Sequence, residues 1–157
     1  FMLGAYDAKP SSGRLILMGL NKYFVFYPPG GKNFIHVNDA AKGIVNAIEK
    51  GKNGEAYLLA NENMSYKEFF KKVNSITKNK PILIKLPKIF LLFLGNIGSE
   101  IRMIGIKTDL SKTNMKILCV ENFYSNKKAK EVLDLSCKPI ELAIEDAIKW
   151  FKVNAKI

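Results

Sequence analysis

The chain has 157 residues, enough for one domain with a core of its own. Its 48% hydrophobic and 25% charged residues exclude a disordered or low-complexity class. The net charge of +11 attracts polyanions, but it is carried by Lys in every segment, with Arg only as Arg14 and Arg102, so a specific nucleic-acid partner is not expected.

Phe1, Met2, Leu3 and Gly4 read as the end of a buried strand reaching a turn. Residues 6–13 (YDAKPSSG) form a loop of turn residues. Leu15, Ile16, Leu17, Met18 and Leu20 predict a short helix entered near Ser11 or Ser12. Residues 23–27 (YFVFY) predict a strand. Pro28, Pro29, Gly30 and Gly31 break the chain before a second strand through Phe34, Ile35 and Val37. Gly30-Gly31-Lys32 is not a phosphate loop, which needs Gly where Phe26 stands and Ser or Thr where Asn33 stands. Asn38 or Asp39 is expected to cap a helix that turns Ala40, Ala41, Ile44, Val45, Ala47 and Ile48 inward. Gly51 is expected to end it in the left-handed conformation. Asn53-Gly54 marks a turn, and residues 55–60 a strand.

Ser65-Tyr66-Lys67-Glu68 is a capping box, with Met64 and Phe69 at the positions of a hydrophobic staple. The helix it opens carries Phe69, Phe70, Val73 and Ile76 inward, and Pro81 is expected to end it. Ile82, Leu83 and Ile84 make a short strand. Pro87 opens a long apolar helix through Ile89, Phe90, Phe93, Ile97, Ile101 and Ile104. Glu100 and Arg102 interrupt it too early for the ~20 apolar residues of a membrane span. It is expected to dock on the substrate side of the fold, with contact to a membrane surface as the alternative. Ser111 caps a helix through Leu118. Tyr124 and Lys128 have Tyr-x-x-x-Lys spacing, but Tyr124 precedes the cap-like Ser125 and Asn126 and falls outside the helix. Pro139 opens a last helix burying Ile140, Ile144, Ala147, Ile148 and Phe151. The two thiols, Cys119 and Cys137, have no metal spacing, and His36 is the lone histidine, so no metal is expected and a reduced, cytoplasmic setting fits.

The order Asn33-Phe34-Ile35-His36-Val37-Asn38-Asp39-Ala40-Ala41, followed by Gly54-Glu55-Ala56-Tyr57, resembles the C-terminal half of an extended short-chain dehydrogenase/reductase. The likeness is to dihydroflavonol-reductase-like and epimerase/dehydratase members, and it covers nearly the whole chain. It implies a mixed α/β fold, with helices and a few short strands, lacking the N-terminal Rossmann-type half that binds the dinucleotide. The first residue is Phe1 rather than Met, and no signal peptide is visible, so the chain is expected to begin inside a longer protein. Residues 1–157 are then one substrate-binding region.

The resemblance also implies roles. Phe1, Met2 and Leu3 would lie beside the nicotinamide of NAD or NADP, and Gly4, Tyr6, Ser11 and Ser12 would face a small-molecule substrate. This chain has Gly4-Ala5 where the family usually has Gly-Pro. No catalytic residue is assigned. The chain has no Gly-rich turn between strand and helix, and its Tyr-x-x-x-Lys match lies after the His-Val-x-Asp segment, where the family's catalytic pair does not. His36 is expected to be a hydrogen-bonded structural residue and Asp39 a cap. The isolated chain is expected to bind no cofactor and to need its missing half or self-association to cover apolar surface. The reading from a different class is a stand-alone basic module for nucleic acid or an anionic membrane.

Overall fold

A computed structural model describes residues 1–154; the last three residues of the expected 1–157 region lie outside it. In chain order the elements are β1 (Met2–Leu3), α1 (Arg14–Gly19), β2 (Phe24–Tyr27), β3 (Gly31–His36), α2 (Val37–Lys50), β4 (Glu62–Ser65) and α3 (Tyr66–Thr77). There follow β5 (Ile82–Lys85), α4 (Lys88–Met103), α5 (Lys112–Leu118), β6 (Glu121–Asn122), α6 (Lys127–Leu133) and α7 (Ile140–Val153). The fold is mixed α/β, with short strands.

β3 organises the main sheet. β1 runs parallel to it, with Met2 opposite Ile35 and Leu3 opposite His36. β4 pairs antiparallel with residues 31–34, and β6 pairs parallel with Gly31 and Lys32. All six β3 residues are buried, as for a strand covered on both faces. A separate parallel pair joins β2 to β5.

The core forms where α3 and α7 close over β3. Phe34 stacks on Phe69 at 4.6 Å between ring centroids, and Phe70 meets Phe69 edge-on. From α7 come Ile140, Ile144, Ala147, Ile148 and Phe151, all buried as the periodicity predicts. The capping box forms: Ser65 Oγ accepts from Glu68 N at 3.2 Å, and Ser65 N donates to Glu68 Oε2 at 2.8 Å. Met64 and Phe69 are both buried in that core.

Several local expectations fail for physical reasons. α3 ends at Thr77 through a left-handed Lys78 (φ 56°), before Pro81 can act. Gly51 is extended (φ −66°, ψ 138°); a Cβ there would stand 2.3 Å from Ala47 O, so close approach explains the glycine. Residues 55–60 form no strand, because β4 takes the free edge of β3 further on. Ala60 O instead accepts from the Asn126 side chain at 2.6 Å.

α2 turns the other way from its apolar stripe. Asp39, Ala40 and Gly43 are buried, while Ile44, Val45 and Ile48 are exposed. A Cβ on Gly43 would lie 2.7 Å from Leu59 Cδ2 and 3.0 Å from Leu135 Cδ1, so the small face is the one that packs. α4 likewise buries Leu91, Gly95 and Gly98, leaving Ile89, Phe90, Phe93 and Ile97 exposed, against the docked apolar helix expected.

Candidate functional site

A cavity of about 260 Å³ opens where β1 ends and α2 begins, lined by Met2, Leu3, Gly4, Ala5, Tyr6, Asp7, Ser11, Ser12, Val37, Asn38 and Ala41. Six of the seven residues singled out in the sequence therefore converge here. Phe1 does not; it lines a neighbouring cavity described below.

The floor is set by backbone demands. Gly4 has φ +148°, and a Cβ on it would meet Val37 Cγ1 at 2.5 Å, so only glycine lets the chain leave β1 across the start of α2. Tyr6 also takes a positive φ (69°), with its ring 83% exposed at the cavity mouth. The loop that follows is held by Asp7. Its carboxylate accepts from Ser11 N at 3.0 Å and from Gly13 N at 2.9 Å. α1 starts at Arg14 rather than at the expected Ser11 or Ser12: Asp7 holds the Ser11 and Gly13 amides in the loop before it, Gly13 is the cap and has no side chain to use, and the first-turn amides of Arg14, Leu15 and Ile16 bond the carbonyls of Ser11, Ser12 and Gly13. Sequence reading passed over Asp7, although an Asp four residues before Ser11 in a turn-rich loop is a usable signal.

His36 sits under the site and caps α2, the role expected of Asn38 or Asp39. Asn38 N donates to His36 Nδ1 at 3.1 Å, so the ring proton lies on Nε2, which donates to Asp146 Oδ2 at 3.1 Å. The ring is buried and both nitrogens are engaged, as expected of a structural histidine. Asp39 lies inside α2, buried, where Oδ2 accepts from Lys138 N at 2.8 Å and ties the approach to α7 down.

The second cavity, about 400 Å³, is lined by Phe1, Lys32, Asn33, Ile117, Asn122 and Tyr124. Lys32 is buried in the middle of the sheet. Its Nζ donates to Ile117 O at 3.0 Å and to Asn122 Oδ1. Burial holds its amine below the ordinary lysine range. Nothing in the sequence separates it from the surface Lys, because its burial comes from pairing with β6, some 90 residues away.

Tyr124 stays outside α6. Its backbone N and O bond Asn63, while Lys128 pairs with Glu55 and lies over the Tyr57 ring. Tyr124 thus lies before the helix that carries Lys128, and the two do not share one helix face. Among the described residues no cluster of His, Cys, Asp or Glu could hold a metal ion.

No protein-family model matches the chain. A curated protein of Synechocystis, named "Putative dihydroflavonol 4-reductase", is 28% identical over 96% of this chain and 46% of its own length. Of solved structures, that of gox2253 superposes with a TM-score of 0.77 at 31% identity, over 99% of this chain and 48% of its own. The chain is similar over nearly its whole length to the reductase-named protein and shares the fold of gox2253. The UDP-glucuronic acid 4-epimerase of Bacillus cereus, solved with NAD, has the same fold, with a TM-score of 0.63 at 16% identity over 97% of this chain and 42% of its own. The chain thus spans a little under half the length of these relatives.

A short-chain dehydrogenase/reductase holds its dinucleotide by the pyrophosphate, at a Gly-rich turn opening a helix. Four of the described helix starts, those of α1, α2, α3 and α5, have N–H groups at or just before them already engaged by side chains. At α1 the Asp7 carboxylate already takes the Gly13 N–H at the cap, and the Arg14, Leu15 and Ile16 N–H groups bond backbone carbonyls. At α2, α3 and α5 the side chains of His36, Ser65 and Ser111 accept from the N–H groups of Asn38, Glu68 and Asn114.

Proposed function

We propose that this chain is the C-terminal, substrate-binding part of an NAD(P)-dependent oxidoreductase or epimerase, with residues 1–157 acting as one region. Gly4, Tyr6, Ser11 and Ser12 face a small-molecule substrate, and Phe1, Met2 and Leu3 lie along the nicotinamide end of the cofactor. The observation that carries this reading is the convergence of Met2, Leu3, Gly4, Tyr6, Ser11 and Ser12 on one cavity at the end of a sheet strand. Ligands of open α/β sheets bind at such strand ends. The similarity to a reductase and to an NAD-holding epimerase supports the same class.

In this reading the chain supplies shape and hydrogen bonds, and the nucleotide-binding half supplies the proton-transfer residues. The Ser11 and Ser12 hydroxyls donate to or accept from polar groups of the substrate, the Tyr6 ring covers it, and His36 keeps the start of α2 rigid beneath. The exposed Phe1, Met2, Ile44 and Ile48 mark the side covered by the missing half or by a second copy of the chain. Two free thiols fit a reduced, cytoplasmic setting.

The test is to join this chain to a nucleotide-binding half and assay a panel of ketones and UDP-sugars with NADH and NADPH. Alanine at Tyr6 or Ser12 is expected to raise KM with kcat nearly unchanged. Wild-type kinetics in both variants, on every substrate turned over, would sink the assignment of the cavity.

A further inference from the structure

α4 is packed inside out. Beside Leu91, its contact face is glycine: a Cβ on Gly98 would come 1.4 Å from Leu110 O, and one on Gly95 would come 3.0 Å from Lys112 Cα and Met115 Cβ. Most of its largest residues point away. Ile89, Phe93 and Ile97 recur at every fourth position, making one outward stripe with Phe90 beside it, and Ile89 is 82% exposed. Met103, Ile104 and Ile106 extend the exposed apolar run past the helix. A helix on a water-facing fold turns its bulky apolar side inward. Small residues inward and bulky ones outward is the arrangement of helices whose surroundings are lipid.

The charge around this stripe is one-sided. Residues 80–116 hold seven basic side chains against two acidic ones, a net +5 out of the chain's +11. Lys85 and Lys88 stand at the entry to α4, and Arg102 and Lys107 at its exit. Cations at both ends of an apolar stripe match an anionic headgroup layer above an acyl interior. A second copy docked on the same face would bring two such basic borders together, which repels. Nucleic acid would leave the stripe without an apolar partner. No helix among the described residues is long and apolar enough to cross a membrane, and Glu100 interrupts the outward face of α4, so the fitting geometry is a helix lying in the membrane plane.

We propose that the outward face of α4, with Ile89, Phe90, Phe93 and Ile97 bordered by Lys85 and Lys88, docks on the surface of an anionic lipid bilayer. This is a surface carried by an enzyme relative, not a stand-alone membrane module, and it is independent of how the substrate cavity is read.

The experiment is co-sedimentation of the protein with vesicles of phosphatidylcholine, alone or mixed with phosphatidylglycerol, at physiological salt. The protein is expected to pellet with the mixed vesicles only. Phe93→Glu and Lys85→Glu/Lys88→Glu should each weaken binding by about tenfold or more. Phe93 faces away from α5, so Phe93→Glu should leave the circular dichroism spectrum unchanged. Phe93→Trp should keep binding, with its emission shifting to the blue when mixed vesicles are added. No pelleting, equal pelleting of Phe93→Glu, or an unshifted Trp spectrum would overturn the proposal. So would light scattering that shows a dimer which Phe93→Glu dissociates, because a second copy would then be the occupant.

Discussion

Replacing Asp7 by Ala removes the acceptor that holds the loop over the cavity. Two N–H groups lose their partner, Ser11 N in an exposed position and Gly13 N in a partly buried one. A hydrogen bond to a charged group contributes about 1.5–3 kcal/mol when shielded and less where water can replace it. The expected loss is therefore about 1–2 kcal/mol in total. For a domain of this size that lowers Tm by about 2–8 °C. The sharper readout is local. Amide exchange at Ser11 and Gly13 should accelerate strongly in Asp7→Ala, while α3 and α7 keep their protection. Asp7→Asn retains one acceptor oxygen and should recover part of it. If exchange at both amides stays at the wild-type rate, Asp7 does not hold the loop.

Ser65→Ala should destabilise the fold by ~1 kcal/mol, read as a lower urea midpoint at unchanged m-value; an unchanged midpoint would remove the capping box from the account. Glu68 and Glu141 are held below their ordinary carboxyl value of 4.5, the first by the Ser65 hydroxyl and the second by Lys72. Folded values below unfolded ones give stability that is present above pH 4.5 and lost as pH falls through the folded values, so the urea midpoint should hold to about pH 5 and drop below 4.5. Glu68→Gln should flatten part of that drop. Tyr66 is buried, its hydroxyl has no partner among the described residues, and burial, with Cys119 nearby, pushes its phenol to about 12. Tyr66→Phe should thus be neutral or stabilising by up to ~1 kcal/mol, and a clear loss would reveal a partner.

Where structure is local, the sequence was enough to read it. The capping box at Ser65, the Ser111 cap and the buried face of α7 each depend on residues within a turn or two of one another. Orientation was harder. Periodicity showed that α2 and α4 each have an apolar stripe, but which side packs was decided by glycines that admit a neighbour: Gly43 under Leu59, and Gly95 and Gly98 under residues 110–115. Residues 55–60 have strand-like composition, yet a strand needs a free edge, and β3 gives that edge to residues 62–65. In the candidate site, turn chemistry marked residues 6–13 as a loop, while the expectation that this loop faces a substrate came from the resemblance alone. Asp7 was missed as a loop constraint, and Lys32 was hidden because its burial is created by a strand far along the chain.

The central claim is that this chain shapes a substrate cavity while the cofactor cradle lies in a nucleotide-binding half outside it. The most direct measurement is a calorimetric titration of NADPH into the 157-residue chain alone. The account predicts no saturable heat, and binding that returns when a nucleotide-binding half is joined to the chain. Saturable binding in the low micromolar range by the isolated chain would contradict it.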